Sequence, residues 1–130
     1  MPTGFISTEF EVTEENGVLV TVLGAPTIDE DYYYLILQNK KPYTKQDIKL
    51  GMNKPYIEYC GQGWSWYGHI DSFELLRNRV RIKMDKEAAD RMENDGLIEV
   101  DFALDENQFS QLQLALRRTF DECEFYIEQV

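Results

Sequence analysis

The chain has one histidine, two cysteines and no apolar run near the ~20 residues that a membrane-crossing helix needs. A single histidine rules out a metal site built on several imidazoles, and Cys60 and Cys123 lack the close CxxC pairing of a structural zinc site. The start, MPTGFISTEFEV, has neither the basic opening nor the long apolar centre of a secretory signal, so a cytoplasmic protein is expected. In that compartment both thiols are expected to be reduced. Export by another route would leave room for a disulfide between them.

Positive charge is also missing where the chain begins. Residues 1–39 contain seven acids and no lysine or arginine. Residues 40–54 reverse this, with five lysines against Asp47. From Asp85 onward thirteen acids face only Lys86, Arg91, Arg117 and Arg118, and the formal net charge of the chain is −11. Such a field repels phosphate backbones, which argues against direct nucleic-acid binding. It speeds association with a basic protein, and it serves plain solubility equally well.

What is present is material for a core. In 130 residues, 43% are hydrophobic and 13% aromatic, which fits a single domain over 1–130. FISTEFEV alternates with period two and predicts a strand with Ile6, Thr8, Phe10 and Val12 on one face. Glu15, Asn16 and Gly17 make a turn, VLVTVL returns as the second arm of a hairpin, and Gly24 to Pro26 breaks the run. DYYYLILQ predicts a strand covered on both faces. The lysine-rich stretch after it, with its prolines and glycine, predicts a loop with one short helical turn, and YIEYC a short strand.

Further on, SFELLRNRVRIKM predicts two strands around Arg77 and Asn78. Val80, Ile82 and Met84 point inward and Arg79, Arg81 and Lys83 outward, while LIEVDFAL repeats the scheme with Glu99 and Asp101 outside. Opposite charges on neighbouring strands pair across a sheet face, so this basic stripe predicts a structural complement and not a phosphate site. Asp85 caps a short helix that Gly96 ends. Asp105 and Gln108 form the capping box of a last helix, with Phe109, Leu112, Leu116 and Phe120 on its buried face and Leu114 on the other side. CEFYIEQV adds a final strand. The expected fold class is α+β: a mostly antiparallel, twisted β-sheet packed against a C-terminal helix and one shorter helix.

Rare residues gather in YCGQGWSWYGHI, residues 59–70. Cys60 and His69 would be a nucleophile and base only if folding brought them together, and nothing orients the base. Gly61 and Gly63 lack the lysine of a phosphate loop. No catalytic residue, metal or cofactor is therefore expected. In an extended strand Trp64 and Trp66 share one face and Tyr67 takes the other. Either both tryptophans are core, or one is core and the other is left as a contact anchor.

From Tyr32 onward the chain resembles bacterial immunity proteins of polymorphic toxin systems, in particular the immunity protein 10 family. DYYYLILQ, YIEYCGQGWSWYGHI, FELLRNRVRIKMDKEAADRM and IEVDFALDENQFSQLQLALRRTF carry the resemblance, over roughly residues 31–120. It implies an α+β fold, a bacterial cytosol and a cognate protein toxin as partner. Together with the charge, it predicts inhibition of a basic, nuclease-like toxin by steric and electrostatic blocking. Asp29, Glu30 and Asp31 would steer the partner, and Trp64, Trp66 and Tyr67 would anchor it. The alternative is a small-molecule-binding or regulatory domain with an aromatic pocket, and an enzyme ranks last. The oligomeric state stays open between monomer and dimer.

Overall fold

The computed structural model describes residues 3–26, 32–40, 42–60 and 63–130. These form ten strands and three helices. In chain order they are β1 (Thr3–Ile6), β2 (Glu9–Glu15), β3 (Val18–Pro26), β4 (Tyr32–Lys40), α1 (Lys45–Lys49), β5 (Tyr56–Tyr59), β6 (Ser65–Tyr67), β7 (Ile70–Leu76), β8 (Arg79–Met84), α2 (Lys86–Met92), β9 (Leu97–Asp101), α3 (Glu106–Thr119) and β10 (Tyr126–Gln129). The strands make two five-stranded sheets instead of the one expected. Sheet A runs β1-β9-β8-β7-β10 and sheet B runs β2-β3-β4-β5-β6. Sheet B is an antiparallel meander, whereas sheet A carries parallel edge strands at β1 and β10. The α+β class with mostly antiparallel strands and a C-terminal helix stands.

The two sheets part within FISTEFEV. The Ser7 amide donates to the Asp101 carbonyl at 2.7 Å in sheet A, and the next amide, of Thr8, donates to the Gly24 carbonyl at 2.9 Å in sheet B. The Ser7 hydroxyl, itself buried, donates to the Glu9 carbonyl at 2.8 Å and secures the crossing. Ile6 is consequently 70% exposed, and Phe5 packs on the core in its place. β2 keeps its alternation, with Phe10 and Val12 half-buried between exposed glutamates.

Beyond the crossing most of the pattern folds as its chemistry dictates. Asn16 and Gly17 turn the β2–β3 hairpin with φ of 54° and 80°, the left-handed backbone a two-residue hairpin turn needs. β3 does not break at Gly24. It pairs through to Pro26 opposite Tyr32, at a strand end where proline's missing N–H is no loss. β4 is covered on one face only: Leu35, Leu37 and Asn39 are buried, while Tyr34, Ile36 and Gln38 stay half-buried on the other side. α2 stops at Glu93 in left-handed backbone, and Gly96 lies just ahead of β9.

Both sheets contribute to one apolar cluster. Leu23, Leu35, Leu37 and Ile57 come from sheet B, Phe73, Leu75, Ile82 and Val100 from sheet A, and Leu112, Leu116 and Phe120 from α3 and its cap. Phe73 has no exposed surface and lies 4.7 Å from the Phe120 ring, centroid to centroid. α3 packs on β2, β3 and β4 from this inner side. Asn39 ties it down, its amide donating to the Thr119 carbonyl at 2.8 Å. The outer face of sheet B lies on the side away from α3 and sheet A.

Candidate functional site

The outer face of sheet B follows from strand register. Alternate residues of a strand share a face, so the pairing lines up Glu11, Val22, Ile36, Glu58 and Ser65 as one row across five strands. Thr13, Val20, Gln38, Tyr56 and Tyr67 form the next row. Val20, Val22 and Ile36 are half-buried, giving an apolar centre. Tyr32 and Tyr67 are 41% and 37% exposed.

Hydrogen bonds hold this surface in place. Glu58 is 7% exposed and accepts from two tyrosines, from the Tyr34 hydroxyl at 2.8 Å and the Tyr56 hydroxyl at 2.5 Å. Tyr32 donates to Glu9 at 2.6 Å, over Gly24, where any Cβ would run into the tyrosine hydroxyl. Burial first, and then the Glu58 carboxylate, push the Tyr34 phenol up to about 12. The carboxylate of Glu9 is the leading cause of a rise to about 12 at Tyr32. Both hydroxyls therefore remain donors throughout the neutral range. Tyr56 and Tyr67 lie 5.1 Å apart, ring to ring.

The aromatics of residues 59–70 point three ways. Trp66 is 8% exposed and belongs to the core, with the Arg91 guanidinium 5.8 Å from its ring. Tyr67 faces outward on sheet B. Trp64 is half-buried and stacks on Tyr59 at 5.8 Å, beside a groove of about 590 Å³ that Tyr33 and Cys60 also line. Of the three expected anchors, Trp64 and Tyr67 are accessible, and they do not share one surface. Asp29, Glu30 and Asp31, the expected steering acids, lie outside the described residues.

Cys60 and His69 line different grooves. His69 borders one of about 890 Å³ together with Asn39, Tyr43 and Cys123, and its Nδ1 lies 2.8 Å from Asp85 Oδ2. Burial pushes the Cys60 thiol above its ordinary value, which works against a thiolate nucleophile. Cys60 and Cys123 are both half-buried thiols. Among the described residues, no group of three or more histidine, cysteine or carboxylate side chains is placed to hold a metal. No helix among them is long and apolar enough to cross a membrane.

The sequence pattern does not single out the outer face of sheet B, because its rows come from five strands and exist only once register is known. Alternate valines in VLVTVL and tyrosines spaced by two were the available signal.

A model of the family described as immunity protein 10 matches residues 6–110. The match begins at the end of β1 and takes in the β2–β3 hairpin, so it reaches further toward the N-terminus than the resemblance over 31–120. No curated protein and no solved structure matches the chain.

Proposed function

This chain belongs to the immunity protein 10 family, and on that footing we propose that it binds one cognate bacterial toxin and inhibits it by steric and electrostatic blocking. The family match over residues 6–110 is the observation that carries this reading. The charge of −11 supports a basic, nuclease-like toxin domain as the partner, since opposite fields accelerate encounter and select against wrong partners. In this reading the protein is a single non-enzymatic domain of the bacterial cytoplasm that uses no cofactor. Trp64 and Tyr67 supply aromatic contacts, Trp66 is held in the core, and Asp29, Glu30 and Asp31 add to the steering field just ahead of Tyr32 in the chain.

The divergence of the aromatics favours a protein partner over a small ligand. A ligand pocket needs convergent walls. Here Trp66 turns to the core, Tyr67 to the face of sheet B, and Trp64 to a groove at the sheet's end. The deciding experiment is co-expression with the toxin encoded beside the gene, followed by a pull-down. Growth protection and a stable complex are expected. A toxin that kills regardless and does not co-purify would remove the proposal.

A further inference from the structure

Resting on the toxin-inhibitor reading, we propose that the toxin docks on the outer face of sheet B and that its basic side chains engage the acids and tyrosine rings of that face. α3 and sheet A pack on the other side of the sheet, and the 42–55 segment borders a small cavity with Val18, Gln38, Lys40, Tyr56 and Tyr67, at the end of the face away from Tyr32. Around Val22 and Ile36 no described element covers the face.

Its chemistry is that of an interface for a basic protein. An apolar centre is flanked by tyrosines, the residue type that dominates binding hot spots because it offers a large surface with few rotatable bonds. Glu9 and Glu11 are exposed on the same face, with Glu11 in the row of Val22 and Ile36. Glu58 is a positioning residue. By accepting from Tyr34 and Tyr56 together it fixes both rings before any partner arrives, so little side-chain freedom is lost on binding. Lysine and arginine are attracted to carboxylates, and also to the faces of fixed aromatic rings. Among the described residues, Glu9 is held by the Tyr32 hydroxyl, a donor that brings no positive charge.

The probe is the toxin domain encoded beside the gene, immobilised, with association and dissociation measured at low and physiological salt for the full chain and its variants. Val22→Arg, at the centre of the face, is expected to weaken binding about 100-fold, because it places bulk and a like charge against a basic partner. Glu11→Lys, at an exposed position, is expected to slow association about tenfold at low salt, with the gap narrowing as salt rises. Leu114→Arg, on the exposed side of α3, should bind within about twofold of the parent, as a substitution outside the interface. Circular dichroism and thermal melting establish that each variant is folded, and Glu11→Lys carries the test if Val22→Arg is not.

Parental binding with Val22→Arg and Glu11→Lys both unchanged would overturn the docking face and leave the inhibitor reading intact. Loss of binding by Leu114→Arg alone would place the toxin elsewhere and overturn it too. So would a Val22→Arg protein that only changes from dimer to monomer in sedimentation while binding toxin normally, since a second copy would then own the face. If the unmodified chain does not bind the toxin at all, both readings fall together.

Discussion

On sheet A one patch of the solvent face is electrically closed. Arg79 donates to Asp101 at 2.5 Å and to Glu99 at 2.8 Å, and Arg81 reaches Glu99 at 3.0 Å, so each carboxylate in that patch meets a guanidinium. On sheet B the corresponding face holds Glu9 and Glu58 in hydrogen bonds from tyrosines, around an apolar centre. Both patches sit on antiparallel pairs of strands, and the outcome differs. A carboxylate paired with a guanidinium has little charge left to offer a partner, whereas one held by a neutral donor, as Glu9 is by Tyr32, keeps its field.

The contrast between the faces requires that the two sheets form one body. Phe73 sits in sheet A, fully buried, against Phe120 and Tyr126. Phe73→Ala is expected to cost about 3–5 kcal/mol, a large share of the stability of a domain this size. Both tryptophans belong to the sheet B side, so their fluorescence reports that sheet while far-ultraviolet circular dichroism reports the whole. In urea the two probes should move together to a lower midpoint. Tryptophan fluorescence that kept its parental midpoint would mean the sheets unfold separately, and the face-by-face contrast would lose its common frame.

A smaller effect tests the tyrosine lattice. Tyr34→Phe keeps the ring and removes one donor from Glu58, which still accepts from Tyr56. A loss of about 1.5–3 kcal/mol is expected, the usual scale for one hydrogen bond to a charged group. Toxin affinity should fall further than stability alone accounts for if ring placement matters to docking. An affinity unchanged in Tyr34→Phe would reduce Glu58 to a purely structural acid.

Much of sheet A was legible in the sequence because its signals are local. The alternation of RVRIKM against IEVD placed Val80, Ile82, Ile98 and Val100 inside and named the charge pairs outside, and the Asp105–Gln108 capping box set the start of α3. The switch between sheets at Ser7 was not legible. Period two runs straight through it, and only the two carbonyl partners, Asp101 and Gly24, distant in sequence, reveal that the strand changes sheet. That is also why the alternation groups Ile6 with Phe10 and Val12, although Ile6 is exposed. The partner face was illegible for the same reason: Glu11, Val22, Ile36 and Glu58 are scattered along the chain and become neighbours only through register. Trp64, Trp66 and Tyr67, adjacent in sequence, diverge in space because Trp66 faces the core and Tyr67 the opposite side of β6, with Trp64 at the groove before that strand.

The gentlest test is pH, where the two faces should fail at opposite ends of the scale. The Arg79 guanidinium holds the Asp101 carboxyl below its ordinary value of 3.8. A lowered folded value means stability that is present above 3.8 and drains away as pH falls through the depressed range. Tyr32 and Tyr34 are shifted the other way, from 10.0 up to about 12. Their contribution is complete below 10 and is lost as pH rises toward 12 and beyond, when ionised phenolates would face Glu9 and Glu58. Thermal melts across the pH range should therefore show an acid limb that Asp101→Asn flattens and an alkaline limb that Tyr34→Phe flattens, with little cross-effect. Each shift should be smaller than that of Tyr34→Phe at neutral pH, since exposed charges are screened by water. If Asp101→Asn altered the alkaline limb, or Tyr34→Phe the acid one, the faces would be coupled through the core. The division between a self-neutralised face and a face kept for a partner would then need a different physical basis.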